Sequence, residues 1–141
     1  MFKTVKDKLK TILQTLEGSG KPLKEVFGYI EPTPQLYPCA MIRVSGTSTE
    51  SRLDSGSNEL MMEFTIRVLL RVDNSEAAEN QRLDLLDSIM DAFRTSANID
   101  TLAGTVNKFD VHSMIQIETS EDQPAFGFDL IVQASKMMLI S

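Results

Sequence analysis

Residues 59–73 read ELMMEFTIRVLLRVD, and this stretch decides the fold. Every second position from Leu60 to Val72 is apolar, while polar side chains such as Glu63 and Arg67 occupy positions between them. A period of two is that of a β-strand with one buried face, and an α-helix, with about 3.6 residues per turn, does not produce it. The stretch therefore predicts a long strand in a sheet that is covered on one side.

The length of this strand is unusual for a small protein. Fifteen extended residues span roughly 50 Å at about 3.3 Å per residue, whereas a domain of 141 residues is only about 37 Å across. Apolar residues also continue to its first end, at Leu60, Met61 and Met62, where an isolated domain normally has polar side chains. We therefore expect a hairpin end that projects beyond the domain and is covered by another molecule.

Composition places the chain among single-domain globular proteins. Its 141 residues fit one domain, and its 42% hydrophobic and 24% charged residues are ordinary for a folded chain. A net charge of −6 opposes binding to phosphate backbones, so nucleic acid is not expected as a tight ligand. The single cysteine, Cys39, permits no internal disulfide and fits a reducing compartment. We expect neither a signal peptide nor a membrane anchor.

Two helices are predicted, one at the start of the chain and one after the long strand. The first is expected to run to about Glu17, and the second to run from a capping box at Asp73 and Glu76 to about Ser96. Apolar residues at spacings of three and four define their buried faces. These residues are Phe2, Val5, Leu9, Ile12, Leu13 and Leu16 in the first helix, and Ala78, Leu86, Ile89, Met90 and Phe93 in the second.

Shorter β-rich stretches predict four further strands. They cover residues 23–30, 37–44, 111–117 and 126–134. The apolar parity of the last strand breaks near Lys136, which indicates a bulge or the strand's end. Residues 45–58 are rich in Ser, Thr and Gly and are expected to form a flexible hairpin loop. The predicted fold is α+β, a mostly antiparallel mixed sheet with two helices packed on one face and a long projecting β-hairpin.

Motifs that carry catalysis or bind metals are not recognised in the sequence. Residues 18–21 read GSGK, but they lack the spacing of a phosphate-binding loop and are followed by Pro22, so a helix cap and turn is the better interpretation. His112 has no metal-ligating neighbour at a suitable spacing, and Cys39 has no basic partner in sequence, so both are interpreted as structural residues. We expect no enzyme activity, no cofactor and no bound metal.

Two groups of residues are candidates for a subunit interface. The first group is apolar and lies at ends of the chain or hairpin, where exposure to water is costly: Leu60, Met61, Met62, Met137, Met138, Leu139 and Ile140. The second group forms stripes of opposite charge on the two helices: Asp84, Asp87 and Asp91, and Lys3, Lys6 and Lys10. The C-terminal residues pair either with the domain's own sheet or with a neighbouring subunit, and the stripes are either solvated faces or surfaces that meet across an interface.

The order of these elements resembles that of a known family. An amphipathic helix is followed by YPCA at residues 37–40, a polar hairpin segment, the long strand with MEFTIRV at 62–68, a helix over 85–93 and a closing strand with FDLIV at 128–132. This pattern is similar to the tail terminator, or tail completion, proteins of tailed bacteriophages, including the minor tail protein U type. The resemblance covers nearly the whole chain and is one of element order and strand texture, because the family has no invariant catalytic motif.

The resemblance implies a non-enzymatic α/β virion subunit of the tail or neck, assembled in the host cytoplasm and with no membrane partner. It implies a homo-oligomer, a hexameric ring, that stops tail-tube polymerisation, contacts the tail tube protein and joins the head-tail connector or neck proteins. It also implies that DNA passes through the ring without specific binding, and it assigns no site residue. Two alternatives stay open: another phage neck or head-closure subunit, and a small ligand-binding or regulatory domain of a cellular protein.

Overall fold

A computed structural model describes residues 2–32, 34–54, 57–70, 76–94, 108–117 and 126–139, with side chains for all of these except 47–54, 57–60, 94, 108–117 and 136–139. Its elements are α1 (Phe2–Gln14), β1 (Glu25–Phe27), β2 (Cys39–Asp54), β3 (Ser57–Leu69), α2 (Glu76–Arg94), β4 (Lys108–Ile117) and β5 (Gly127–Leu139). Neither of the two described helices is long and apolar enough to cross a membrane.

The five strands form one mixed sheet in the order β1-β2-β3-β5-β4. β1 pairs with β2 in parallel over only three residues, opposite Cys39–Met41, and every other pair of neighbouring strands is antiparallel. The ladder between β3 and β5 runs through the middle of the sheet without a register shift, over all 13 residues of β3 from Leu69 back to Ser57. Two helices and a mostly antiparallel mixed sheet confirm the predicted α+β class.

Both helices pack on the same face of this sheet, because each has an apolar stripe that is buried in one shared core. Helix α1 buries its predicted stripe: Val5, Leu9, Ile12 and Leu13, with Phe2 and Leu16 at the margin. The sheet contributes every second residue of three strands: Ala40 and Ile42 from β2, Met62, Phe64, Ile66 and Val68 from β3, and Phe128, Leu130, Val132 and Ala134 from β5. At about 1.5–3 kcal/mol for each large apolar side chain, this core is the main source of stability.

Helix α2 buries a stripe that differs in part from the predicted one. Ala78, Leu85, Ile89 and Phe93 are buried, whereas the predicted residues Leu86 and Met90 are only half-buried. The stripe passes through Arg82, which is 4% exposed and was not expected to face the core. The predicted capping residue Asp73 and the predicted end at Ser96 lie outside the described residues.

The predicted flexible loop over residues 45–58 is wrong. β2 continues through this segment to Asp54, and β3 begins at Ser57. Threonine is β-branched and favours strands. The small polar residues of this segment also pair with the long apolar strand β3, which holds them in the sheet. Register shifts after Val44 and on either side of Arg52 accommodate the extra residues of β2 as bulges.

Other strand boundaries also differ from the sequence prediction. β1 is confined to Glu25–Phe27 rather than residues 23–30, and β3 ends at Leu69 rather than Asp73. β5 extends to Leu139 with no register shift against β3 at Lys136, so the predicted bulge there is wrong. Backbone pairing along the whole of β5 outweighs the break in its apolar alternation. A register shift occurs instead in the neighbouring strand β4, at His112.

The turn after α1 explains why this helix ends at Gln14, three residues before the predicted end. Glu17 forms an isolated bridge with Leu23, and its carboxylate accepts a hydrogen bond from the amide of Val26 (2.6 Å). Gly18, with a φ of 134°, turns the chain at this point as predicted, but it lies four residues beyond the end of the helix and is not its cap. These contacts direct β1 along the edge of β2.

Arg82 joins α2 to the start of β5. Its guanidinium pairs with the carboxylate of Glu79, donates to the carbonyl oxygen of Gly127 (3.4 Å) and lies 4.5 Å from the ring centroid of Phe126. Gly127 has a φ of 156°, and a Cβ added there would lie 1.9 Å from the carbonyl oxygen of Val68. Only glycine therefore allows β5 to begin this close to β3.

Gly127→Ala is expected to lower the free energy of unfolding by roughly 3 kcal/mol, because the added methyl group overlaps a backbone oxygen and the φ is strained. Urea unfolding followed by circular dichroism measures this change. Gly46→Ala is the matched control in the same sheet, since its Cβ would meet only the side chain of Glu63 at 3.7 Å or more, and its expected cost is under about 1 kcal/mol. Equal losses for the two variants would contradict the assigned role of Gly127.

Candidate assembly surface

The face of the sheet opposite the helices is called here the helix-free face, because no described helix packs on it. Its side chains alternate with the core residues along β2, β3 and β5. They are Cys39, Met41, Arg43, Met61, Glu63, Thr65, Arg67, Leu69, Asp129, Ile131, Gln133 and Ser135. The face is mixed in character, with charged, polar and apolar side chains in neighbouring rows.

One ion pair joins β3 and β5 on the helix-free face. Arg67 and Asp129 are cross-strand partners joined by two hydrogen bonds, Nε to Oδ1 at 3.0 Å and Nη2 to Oδ2 at 3.1 Å. The carboxylate raises the pKa of the Arg67 guanidinium, chiefly through this hydrogen bonding. The hydroxyl of Ser45 also donates to Glu63 (3.2 Å). Because the Arg67 side chain is 39% exposed, the ion pair contributes at most about 1 kcal/mol, and it leaves no concentrated charge at this place.

Val44 lies on the outer edge of the sheet, beyond the three residues of β2 with which β1 pairs. It pairs with the fully buried Phe64 on the helix side of the sheet, yet it is 45% exposed. β2 continues for ten residues beyond it, to Asp54, and the ladder between β3 and β5 continues for five pairs beyond Met62, or roughly 16 Å. We call this continuation the distal ladder; it comprises residues 46–54, 57–61 and 135–139.

The predicted apolar interface residues lie in the distal ladder, with two exceptions. Leu60, Met61, Met137, Met138 and Leu139 belong to it, and the described side chain among them, that of Met61, is half-buried. Ile140 lies outside the described residues. Met62 is fully buried in the domain's own core, since its strand position points to the helix side, so its assignment to an interface is corrected.

The C-terminal strand pairs within the chain. Lys136, Met137, Met138 and Leu139 are register partners of residues 57–60 in β3. The sequence left open whether these residues pair with the domain's own sheet or with a neighbour, and the backbone pairing is internal. A neighbour can therefore contact this segment from its face or past its end, but not by replacing β3.

The charged stripes of the two helices do not meet in the described part of the chain. Asp84, Asp87, Asp91 and Lys3 are exposed, Lys6 and Lys10 are half-buried, and none of the six forms an ion pair with another described residue. The lysine side chains of positions 6 and 10 lie beside Gly28, within 3.6–3.8 Å of where a Cβ would be. The charges are thus not neutralised by described residues of their own domain.

A small cleft lies between α2 and the segments that precede β1 and β2. It has a volume of about 180 Å³ and is lined by Pro22, Pro38, Gln81, Asp84, Leu85 and Ser88. Pockets for small organic ligands usually measure about 300–1,000 Å³. This cleft is therefore too small for a typical cofactor or drug-sized ligand.

Cys39 is a buried structural residue, as the sequence predicted. It is fully buried, and desolvation together with the carboxylate of Glu25 raises the pKa of its thiol to about 11, against a smaller opposing effect of a hydrogen bond with the backbone of Leu69. The side chain of His112 lies outside the described part of the chain. Among the described residues, no three metal-ligating side chains come close enough together to hold an ion.

Comparison with known proteins adds no family to these observations. No protein-family model matches the chain, and no curated protein matches its sequence. Its function is therefore inferred from its residues, its geometry and the resemblance in element order.

Sequence reasoning missed two features of this surface. The pairing of Arg67 with Asp129 was not predicted, although both residues alternate with apolar neighbours on their strands; their register was the missing information. The exposure of Val44 was also missed, because a valine in a strand is normally assigned to the core. The sequence does contain an indication that Val44 is exposed: the residues from Ser45 onward are polar, whereas a strand with a buried face stays apolar at every second position.

The Cys39 thiol is expected to be unreactive in the folded protein. With a pKa of about 11, about one thiol in a thousand is ionised at pH 8, and the side chain is buried. Labelling with a thiol reagent at pH 8 should be at least about 100-fold slower in buffer than in urea, where a thiol of ordinary pKa is about one-tenth ionised. Because the raised pKa favours the protonated folded state, its contribution to stability is complete below pH 8 and is lost as the pH rises towards 11. Fast labelling of folded protein would contradict this assignment.

Proposed function

We propose that this protein is a structural subunit that forms a ring, caps the tail tube of a phage, ends tube growth and provides the surface to which the head is joined. It acts by surface complementarity and carries out no reaction. Its partners are further copies of itself, the tail tube protein and the connector or neck proteins. DNA passes through the ring without specific contacts.

The observation that carries this proposal is the distal ladder. Strands of 16 and 13 residues extend roughly 53 and 43 Å, which exceeds the expected diameter of about 37 Å for the domain. The pairing between β3 and β5 continues for five pairs past Met62, the last described core residue of β3, and five of the seven predicted apolar interface residues lie in this continuation. Such a ladder is expected in a protein whose neighbouring copies cover part of its sheet.

Electrostatics support the passage of DNA rather than its capture. The chain carries a net charge of −6, and Arg67, the most central arginine of the helix-free face, is held by Asp129. An acidic subunit whose arginine is paired in this way has little affinity for phosphate groups. The exposed Asp84, Asp87 and Asp91 and the exposed Lys3 provide opposite charges on different helices, which suits contact between unlike surfaces of adjacent copies.

Negative-stain microscopy with mass photometry of the purified protein tests the proposal. Closed rings of a single size are expected, in solution or at the ends of tubes assembled from the tail tube protein of the same virus. A protein that stays monomeric at all concentrations and leaves tube ends uncapped would contradict it and would favour a small regulatory domain. Rings that bind portal or connector particles but not tubes would instead identify a head-closure subunit.

A variant with a shortened hairpin is expected to fold but not to assemble. Ser48 and Met61 are register partners, so replacing residues 49–60 by Asn-Gly closes the hairpin with a two-residue turn and removes the distal pairs between β2 and β3. We expect native circular dichroism, a monomeric mass and no tube caps. Ser55→Asn is the matched control, because it introduces the same turn sequence at full ladder length. Normal rings from the shortened variant would show that the distal ladder is not an assembly element.

A further inference from the structure

The sheet has an unpaired strand edge at each end among the described residues. β1 covers only residues 39–41 of the 16-residue β2, which leaves the outer edge of the 13 residues 42–54 without a strand partner. At the other end, no described strand lies beside the 10-residue β4 on the side away from β5. Unpaired edges of this length are templates for another strand.

The hydrogen-bond pattern identifies which groups of β2 point outward. The amide of Leu70 donates to the carbonyl of Phe126 (2.8 Å), so the even-numbered residues of β3 bond to β5, since bonded and non-bonded pairs alternate along an antiparallel ladder. The odd-numbered residues of β3 then bond to the odd-numbered residues of β2 as far as Arg43. Ile42 and Val44 therefore direct their N–H and C=O groups away from β3, to the outer edge.

The same alternation applies to β4. The even-numbered residues of β5 bond to β3, so its odd-numbered residues bond to β4, and Ile131 and Asp129 are opposite Ser113 and Ile115. The backbone groups of Met114, between these two, point away from β5 to the outer edge of β4. The β2 edge contains bulges at Ser45 and on either side of Arg52, the β4 edge contains one at His112, and each edge has a regular segment beside its bulges.

Strand direction makes the two edges complementary. β2, β3, β5 and β4 are successively antiparallel, so β2 and β4 run in opposite directions. Two copies placed side by side in the same orientation bring β4 of one against β2 of the next as an antiparallel pair, which is the favoured arrangement. Contact between two different edges is heterologous, and a heterologous contact that closes on itself generates a ring and removes every edge.

We infer that the outer edge of β2 pairs with the outer edge of β4 of a second copy, so that the sheet continues from subunit to subunit around the ring. This inference rests on the proposed function and specifies the contact that builds the ring. Val44 of one copy supplies a backbone donor and acceptor, and the segment around Met114 of the next copy supplies their partners.

Two proline variants test the contact, because proline lacks the N–H group and is tolerated on an edge whose N–H points away from the sheet. Val44→Pro disables the β2 edge, and Met114→Pro disables the β4 edge. Val44→Thr keeps the amide and the β-branched shape, and serves as the matched control. Circular dichroism verifies that each variant is folded, and size-exclusion chromatography with light scattering measures the mass of each variant and of an equimolar mixture.

We expect rings from the wild-type protein and from Val44→Thr, and monomers from each proline variant alone. The mixture should yield dimers, since each variant retains the edge that the other has lost, with at least a tenfold gain in the dimer fraction over either variant alone.

Three outcomes would overturn the inference and leave the proposed function standing: rings from Val44→Pro, homodimers of a single variant, or a mixture that stays monomeric. If a proline variant is unfolded, hydrogen exchange in wild-type rings decides: protection at Val44 and Met114 supports the contact, and unchanged exchange overturns it. A wild-type protein that forms no rings, either in solution or at the ends of tail tubes, fails the proposed function itself.

Discussion

The backbone N–H and C=O groups of a strand need hydrogen-bond partners along the whole length of the strand, and this requirement governs the structure. The ladder between β3 and β5 meets it without interruption over 13 residues. On the outer edge of β2, by contrast, β1 pairs with only three residues, Cys39–Met41, so the edge beyond them has no described strand partner.

Alternation and helical spacing were sufficient to predict the sheet, α1 and the fold class. The apolar positions of β3 at Met62, Phe64, Ile66 and Val68 are buried as expected. Strand ends were predicted less well, because the segment from Ser45 onward has the composition of a loop, and only its pairing with β3 makes it a strand. Arg82 and Gly127 were missed for a related reason: their roles depend on contacts between α2, β3 and β5, which are distant in sequence.

Residues of the distal ladder were singled out from the sequence as interface candidates, and one candidate, Met62, was misplaced. Apolar residues at the hairpin end and at the C-terminus drew attention to the distal ladder, in which Leu60 and Met137 do lie. Met62 belongs to the core, since one step along a strand reverses the face on which a side chain lies. The free edges of β2 and β4 were beyond sequence reasoning, because strand order in a sheet is set by long-range pairing that composition does not disclose.

Amide hydrogen exchange tests most directly whether neighbouring subunits cover the distal ladder. It is followed residue by residue in dilute and in assembled protein. If the subunits do so, amides in the distal ladder, residues 46–54 and 57–61, exchange at least about tenfold more slowly once rings form, while amides in the core of α1 change little. Equal exchange in the two states, or the absence of any assembled state, would contradict a function based on assembly.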